Sequence, residues 1–457
     1  MSLINIALSG LNANRVALDV TAQNVANVNT PGYSRQQALM ASVEGGKYDR
    51  LSPGIGVEVS SIRRVSDEYL VKQMWSTNSF AAYASRYTTN MSQLENTLNA
   101  DGLNLSAGFD ALFASLNDAT VKPESVPYRQ QIISEAEALS LRFNTLSESL
   151  YSQLQNVDDQ RNAAINHTNT LLSNIAGINK QIIELQGTGG NPSNLLDARD
   201  KLIGELSNFV EIKTTTQSDG GVQVALASGQ PLVMGGDYGT LKATPDPSAS
   251  GLPVIEVEFG KQSFIVPDVQ GGEIGALNDY QQNVLEPYQS AIDDMAQAFA
   301  DEFNAVLATG TDLNGNPGAP LFSYDPTSPA SSLTVTGIDP KELAFSSDGN
   351  PGNADVLTDL IALSNQPVTV SGFGSLTLND AYSAMIGEVA IKARQADADY
   401  QAKTSMNQQA ISARDNVSAV NSDEEAANLM TFANAHNANM KVISTANQLF
   451  DTVLQLF

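Results

Sequence analysis

The chain has 457 residues, of which 42% are apolar and only 16% charged, with a net charge of −26 and no cysteine. That length and apolar content support two to four domains with at least one large core and exclude a disordered chain. The acidity argues against a nucleic-acid or anionic-lipid binder. The missing cysteines exclude disulfides and thiolate chemistry, and no stretch approaches the 18 apolar residues of a membrane span.

The first 29 residues read as one amphipathic helix. Ile4, Leu8, Leu11, Arg15, Leu18, Ala22 and Val25 alternate at spacings of four and three, a 3.5-residue period. The helix is expected to stop at Thr30, because Pro31 disfavours helical backbone in the residue before it. Met1 to Gly10 holds no Lys or Arg and no long apolar run, so it does not read as a signal peptide. A chain leaving the cell would then use a route that cleaves nothing. Residues 30–65 read as extended, with Ile55, Val57 and Val59 alternating with Gly56 and Glu58.

Helices follow over 66–98, about 125–186 and about 194–208. The long one starts after Pro123 and Pro127 and stops at the Gly187–Pro192 cluster. At 1.5 Å per residue it would run about 90 Å, so it is expected to be interrupted or to form the axis of a rod-shaped bundle. A first β-rich block, 209–267, carries Val222–Leu226, Leu232–Met234 and Val254–Phe259. A second, 319–374, carries Leu333–Thr336 and Val368–Val370. Helices at 275–308 and 378–420 flank the second block.

The last 34 residues form another amphipathic helix, opened by Asp423, Glu424 and Glu425, where a helix N-terminus favours negative charge. One stripe runs Leu429, Phe432, His436, Asn439, Ile443, Ala446, Phe450, Val453, Phe457. A second runs Val442, Ala446, Leu449, Val453, Leu456. Chain ends are normally frayed and polar, yet both ends here carry an apolar helix. Residues 65–392 hold 14 Lys/Arg against 39 Asp/Glu, whereas 1–64 hold six against four and 393–457 four against seven. The nearly neutral ends can therefore be buried at little electrostatic cost. They are expected to pair with each other or with neighbouring copies; ordinary two-helix packing within a monomer is the alternative. The expected assembly interface is Ile4, Leu8, Leu11, Leu18, Val25, Leu429, Phe432, Val442, Ile443, Ala446, Leu449, Phe450, Val453, Leu456 and Phe457.

Site chemistry is sparse. The two histidines, His167 and His436, fit no zinc-binding spacing. Asp158-Asp159 and Asp293-Asp294 are adjacent pairs that do not share a helix face. Asp312-Leu313-Asn314-Gly315-Asn316 begins like a calcium loop but has Pro317 where glycine is required and Ser323 where glutamate is required. No catalytic residues, metal or cofactor are expected.

Two long motifs at opposite ends carry a resemblance. Leu8-Ser9-Gly10-Leu11-Asn12-Ala13 with the run Leu18 to Gln36, and Val420 to Leu429 with Lys441 to Leu454, resemble the terminal signatures of the flagellar rod, hook and hook-associated axial proteins. Pro31-Gly32-Tyr33-Ser34-Arg35-Gln36 followed by a long helical region, the Asn194–Asp200 segment, and Asp312–Asn316 are similar to the branch at the hook–filament junction. In that family an aromatic residue commonly occupies the middle of the last helix, where this chain has the small, polar stretch Asn434–Asn439.

The resemblance implies an α+β, nested multidomain axial protein. Residues 1–65 and 415–457 would form an inner coiled-coil domain of terminal helices. Residues 66–208, 275–310 and 375–414 would form an elongated helical bundle, and 209–274 with 311–374 an outer β-rich region. It further implies a structural adaptor between hook and filament, outside the cell. Such a subunit would self-associate in a helical ring by coupled folding of its ends. Its partners would be hook protein, the next hook-associated junction protein and an export chaperone at the C-terminal helix, with no nucleic acid and no membrane. The competing reading is a secreted flagellar-associated enzyme or adhesin with an outer β domain, for example a cell-wall hydrolase.

Overall fold

The structure is a computed structural model that describes residues 2–44, 54–245 and 253–455. Leu456 and Phe457 of the expected interface lie outside them. The chain runs outward from its first helix and returns to it. Helix α1 (Ser2–Ala26) leads into the antiparallel hairpin β1 (Gln36–Val43) and β2 (Gly56–Arg64), whose register shifts between Leu39 and Met40. Next come α2 (Glu68–Leu98), capped by the Asp67 carboxylate, α3 (Leu105–Ala119), α4 (Val126–Gly187) and α5 (Ser193–Ser207). Helix α3 lies where periodicity singled out nothing: its buried residues Leu105, Gly108, Phe109, Leu112 and Leu116 make a short stripe between turn residues.

Helix α4 is uninterrupted over 62 residues, about 93 Å of helix. Its only prolines and glycines are Pro127 at the first turn, Gly177 and the terminal Gly187. Its buried positions Leu139, Phe143, Leu146, Leu150, Gln153, Val157 and Arg161 step by four and three, so one face stays covered along the whole helix.

Seven strands follow. β3 (Ile212–Thr216), β4 (Val222–Leu226), β5 (Pro231–Met234) and β6 (Asp237–Tyr238) form one antiparallel sheet in that order. β7 (Thr240–Pro245), β8 (Pro253–Phe259) and β9 (Gln262–Val266) form a second. The alternation buried in β4 at Val222, Val224 and Leu226 faces the second half of α4. Helices α6 (Gly272–Tyr280) and α7 (Glu286–Leu307) are joined without a break by a π-helical turn, Gln281–Leu285.

The stretch after α7 is less β-rich than its apolar runs suggested. It holds the two-residue strands β10 (Phe322–Ser323) and β11 (Thr334–Val335) around the short helix α8 (Pro329–Ser332). Beyond them come α9 (Asp355–Ala362) and the hairpin β12 (Val368–Val370) and β13 (Gly374–Leu376). Leu321, Leu333, Leu343, Phe345 and Val370 point into the helical core instead of onto a sheet. Helix α10 (Leu378–Ser418) then returns antiparallel to α2, with Thr88 Oγ1 donating to the Ala396 carbonyl (2.8 Å) and Thr77 Oγ1 to Asn407 Oδ1 (3.2 Å). Helix α11 (Ser422–Leu454) brings the chain back to α1.

Two apolar cores result. One gathers α3, the first half of α4, α7 and the ends of α2 and α10; the other gathers the sheets, α5 and the second half of α4. Between Val157 and Ala164 the two are separated by Arg161, fully buried, which donates to Asn278 Oδ1 (3.1 Å) and Gln281 Oε1 (2.6 Å) and pairs with Asp158. The π turn brings Gln281 to that guanidinium. The architecture is α+β, with long terminal helices, a central helical bundle and a β-containing region.

Candidate assembly interface

Helices α1 and α11 pack antiparallel. Two contacts set the register: a Cβ on Gly10 would lie 2.9 Å from Asn439 Oδ1, and Asn24 Nδ2 donates to Glu425 Oε2 at 3.1 Å. Gly10 therefore sits where a larger residue would collide with the polar middle of α11. Asn439, the last residue of the polar stretch 434–439, meets a glycine there.

The face of α1 turned inward is made of small residues. Ala7, Gly10, Ala13, Ala17, Val20, Thr21 and Asn24 are buried against the hairpin and α11. Ser9 assists, donating to the Ile6 carbonyl (2.8 Å) and accepting the Val57 amide (3.1 Å). The larger residues of the heptad stripe are displaced around the helix: Ile4, Leu11 and Leu18 are half-buried, and Leu8 and Val25 remain 48% and 43% exposed.

Helix α11 is barer still. Among its described residues only Glu425 and Ala446 are buried. Phe432 and Ile443 are half-buried, and Leu429, Val442, Leu449, Phe450 and Val453 are exposed, as are Met430, Met440 and Leu454, which the periodicity did not select. The antiparallel register places Ala446 opposite the start of α1. Phe450, Val453 and Leu454 consequently project past it, with Phe450 62% exposed. The thirteen expected interface residues that are described thus lie on two adjoining helices. Of these, Ala446 is buried, Ile4, Leu11, Leu18, Phe432 and Ile443 are half-buried, and Leu8, Val25, Leu429, Val442, Leu449, Phe450 and Val453 are exposed.

A polar node ties this pair to the bundle. Asn24, 1% exposed, uses its whole amide: Nδ2 donates to the Gln36 carbonyl (2.9 Å) and Glu425, while Oδ1 accepts the Gln36 amide (2.9 Å) and the Tyr33 hydroxyl (3.0 Å). Burial, then the charges of Asp197 and Glu425, push the Tyr33 phenol up to about 12. One residue on, the Ser34 amide donates to Asp197 Oδ2 (3.1 Å), and Gln36 Nε2 donates to Asn194 Oδ1 (3.1 Å). Arg64 Nη1 then spans Asp197 (2.9 Å) and Asp200 (2.6 Å). Burial works against the Arg64 charge, and Asp200 and Asp197 more than restore it; burial raises Asp200 despite the pull of Arg64 and Arg199. Arg35 pairs with Glu424 through its side chain and accepts the Val65 amide on its carbonyl. Two segments that stood apart in sequence, Asn24–Gln36 and Asn194–Asp200, thus meet at one joint. Asn24 stands off the heptad stripe, and its position shortly before the Pro31-Gly32-Tyr33 segment was the signal.

The other candidate groups serve structure. His167 lies against the Phe209 ring, 5.0 Å between centroids. Asp293 accepts the Ala330 amide, and Asp294 the Ser371 amide. Asp312 accepts the amides of Asn314 (2.8 Å) and Asn316 (2.7 Å), closing a turn on its own side chain. Among the described residues no group of three or more His, Asp or Glu side chains is placed to hold a metal, and no helix is long and apolar enough to cross a membrane.

Comparison with known proteins finds three family models along the chain. The family described as "Flagellar hook-associated protein FlgK helical domain" matches residues 91–322. "Flagella basal body rod protein" matches 4–33, and "Flagellar basal body rod FlgEFG protein C-terminal" matches 412–456. The chain is 25% identical to the flagellar hook-associated protein 1 of Escherichia coli (strain K12) over the full length of both. It is 27% identical to that of Bacillus subtilis (strain 168), covering 99% of this chain and 97% of the relative. The flagellar hook junction protein FlgK from Burkholderia pseudomallei superposes with a TM-score of 0.68 at 16% identity, over 75% of this chain and 99% of that one.

Proposed function

We propose a mechanical role carried by the two terminal helices, because this chain belongs to the flagellar hook-associated protein FlgK family and is a structural component of the flagellum. Its terminal helices complete their packing only between copies. In the assembled junction the exposed faces of α1 and α11 would be covered by copies beside, above and below, forming a helical ring that adapts the hook to the filament. Hook protein would contact one side of that ring and the next hook-associated protein the other. Before assembly, an export chaperone would cover the projecting end of α11.

The observation that carries this reading is the uncovered apolar surface: Leu8, Val25, Leu429, Val442, Leu449, Phe450 and Val453 face solvent on helices that already pair with each other. Burying each large apolar side chain contributes roughly 1.5–3 kcal/mol, a gain these residues realise only when other copies cover them. Elsewhere the buried apolar residues gather in two cores and the exposed ones, such as Leu141, Ile265 and Ile391, are spread over several elements, whereas α11 alone exposes Leu429, Met430, Met440, Val442, Leu449, Phe450, Val453 and Leu454.

Hydrogen exchange on the full chain tests the coupling. Amides of α1 and α11 should exchange quickly in dilute monomer and slowly in the polymer, while α4 is protected in both. Ends as protected as α4 in dilute monomer would overturn it. Deleting residues 1–29 should abolish incorporation into flagella.

A further inference from the structure

A cleft of about 460 Å³ opens between β2, the start of α2 and α5, lined among others by Arg63, Arg64, Lys72, Trp75, Arg199 and Asp200. It is cationic on an acidic molecule: four of the chain's 24 Lys/Arg line it against two carboxylates, Glu68 and Asp200. Those carboxylates are committed elsewhere. Asp200 binds Arg64, and Glu68 binds Lys72 (2.7 Å) and accepts from Thr216 Oγ1 (2.9 Å).

Arg199 is left over. It is 4% exposed, and its Nη1 donates to Asn179 Oδ1 (3.2 Å) and the Gly220 carbonyl (2.7 Å). Its Nε is buried without a partner, as is Nε1 of Trp75 in the same wall. Among the described residues no carboxylate forms an ion pair with it. Asp200 and Glu68 favour its charge from nearby, but burial outweighs them; a buried guanidinium with no direct carboxylate partner remains under-compensated, and planar carboxylates are its natural complement.

We propose that a second copy of this chain supplies the missing anion, seating an exposed Asp or Glu side chain in this cleft against Arg199 and Arg63. A second copy fits by charge: residues 65–392 carry 39 Asp/Glu against 14 Lys/Arg, so the neighbouring surface is rich in carboxylates where this cleft is not. The cleft also adjoins the joint of the terminal helices through the Arg64 bridge to Asp197 and Asp200. The inference rests on the self-association reading above and names one contact within it.

The full-length chain carries the test. Arg199→Gln should raise the concentration needed for polymerisation about ten-fold or more, with Arg199→Lys restoring part of it and Arg63→Ser giving a smaller effect. Emission from Trp75, the single tryptophan, should shift on polymerisation. Because Arg199→Gln also removes internal hydrogen bonds, a photo-crosslinking residue at exposed Ser61, with Arg199 intact, gives an independent readout. It should yield dimers of this chain joined through a peptide containing Asp or Glu. Wild-type polymerisation with unchanged Arg199→Gln behaviour, unchanged Trp75 emission, or crosslinks to another flagellar protein would sink the cleft assignment and leave self-association standing. Failure of the wild-type chain to self-associate at all would sink both.

Discussion

Asn24 illustrates how much one buried amide does when all of its hydrogen-bonding positions are used. Replacing it with alanine strands the Gln36 amide and carbonyl and the Tyr33 hydroxyl inside the joint. Asn24→Ala should therefore destabilise the terminal pair by about 1–3 kcal/mol and leave the two cores untouched. Limited proteolysis of the full chain should show earlier cleavage near residues 27–35, with the melting of the central body unchanged. Tyr33 adds a pH dependence. Its phenol is raised from 10.0 to about 12 by burial first, then by Asp197 and Glu425, so the folded state favours the protonated form. The stability this confers is complete below pH 10 and lost as pH rises toward 12 and beyond. Alkaline loosening of α1 over that interval should be weaker in Tyr33→Phe than in wild type, read by hydrogen exchange or protease susceptibility.

At the scale of elements, legibility followed the length of the signal. Helix α4 and the stop of α1 before Pro31 could be read directly, since a 3.6-residue stripe over many turns and a proline are strong local determinants. The face on which α1 docks could not. The heptad stripe marks where large apolar residues lie, whereas the intramolecular contact uses Ala7, Ala13 and Ala17, because helix and hairpin approach too closely for anything larger. The stretch 311–374 was read in part: the runs at 333–336 and 368–370 do hold strands, but only in two-stranded ribbons, and Leu321, Leu333, Leu343 and Phe345 anchor the intervening loops in the helical core. The bare outer face of α11 predicts a separation of effects. Phe450→Ser with Val453→Ser should leave the monomer's thermal transition within about 0.5 kcal/mol of wild type, as expected for exposed positions. It should, however, strongly reduce polymerisation measured by sedimentation.

For the whole molecule, α4 is the common wall of both cores, and no linker separates them. The central body should consequently unfold as one cooperative unit. Phe143→Ala, in the first core, should cost about 3–5 kcal/mol and lower the melting of the sheets packed around Leu172 and Ile175 by the same amount. Calorimetry of the full chain checks this, with near-ultraviolet circular dichroism of Trp75 reporting on the second core. Two separate transitions would show that the Arg161 node uncouples them.

Asn24 and Glu425 are separated by 401 residues of chain. Closing so wide a loop is entropically the last step to become worthwhile. As the polypeptide emerges from the ribosome, α1 waits without its companion until almost the entire remainder has arrived. Its outer face stays available to other molecules throughout that interval.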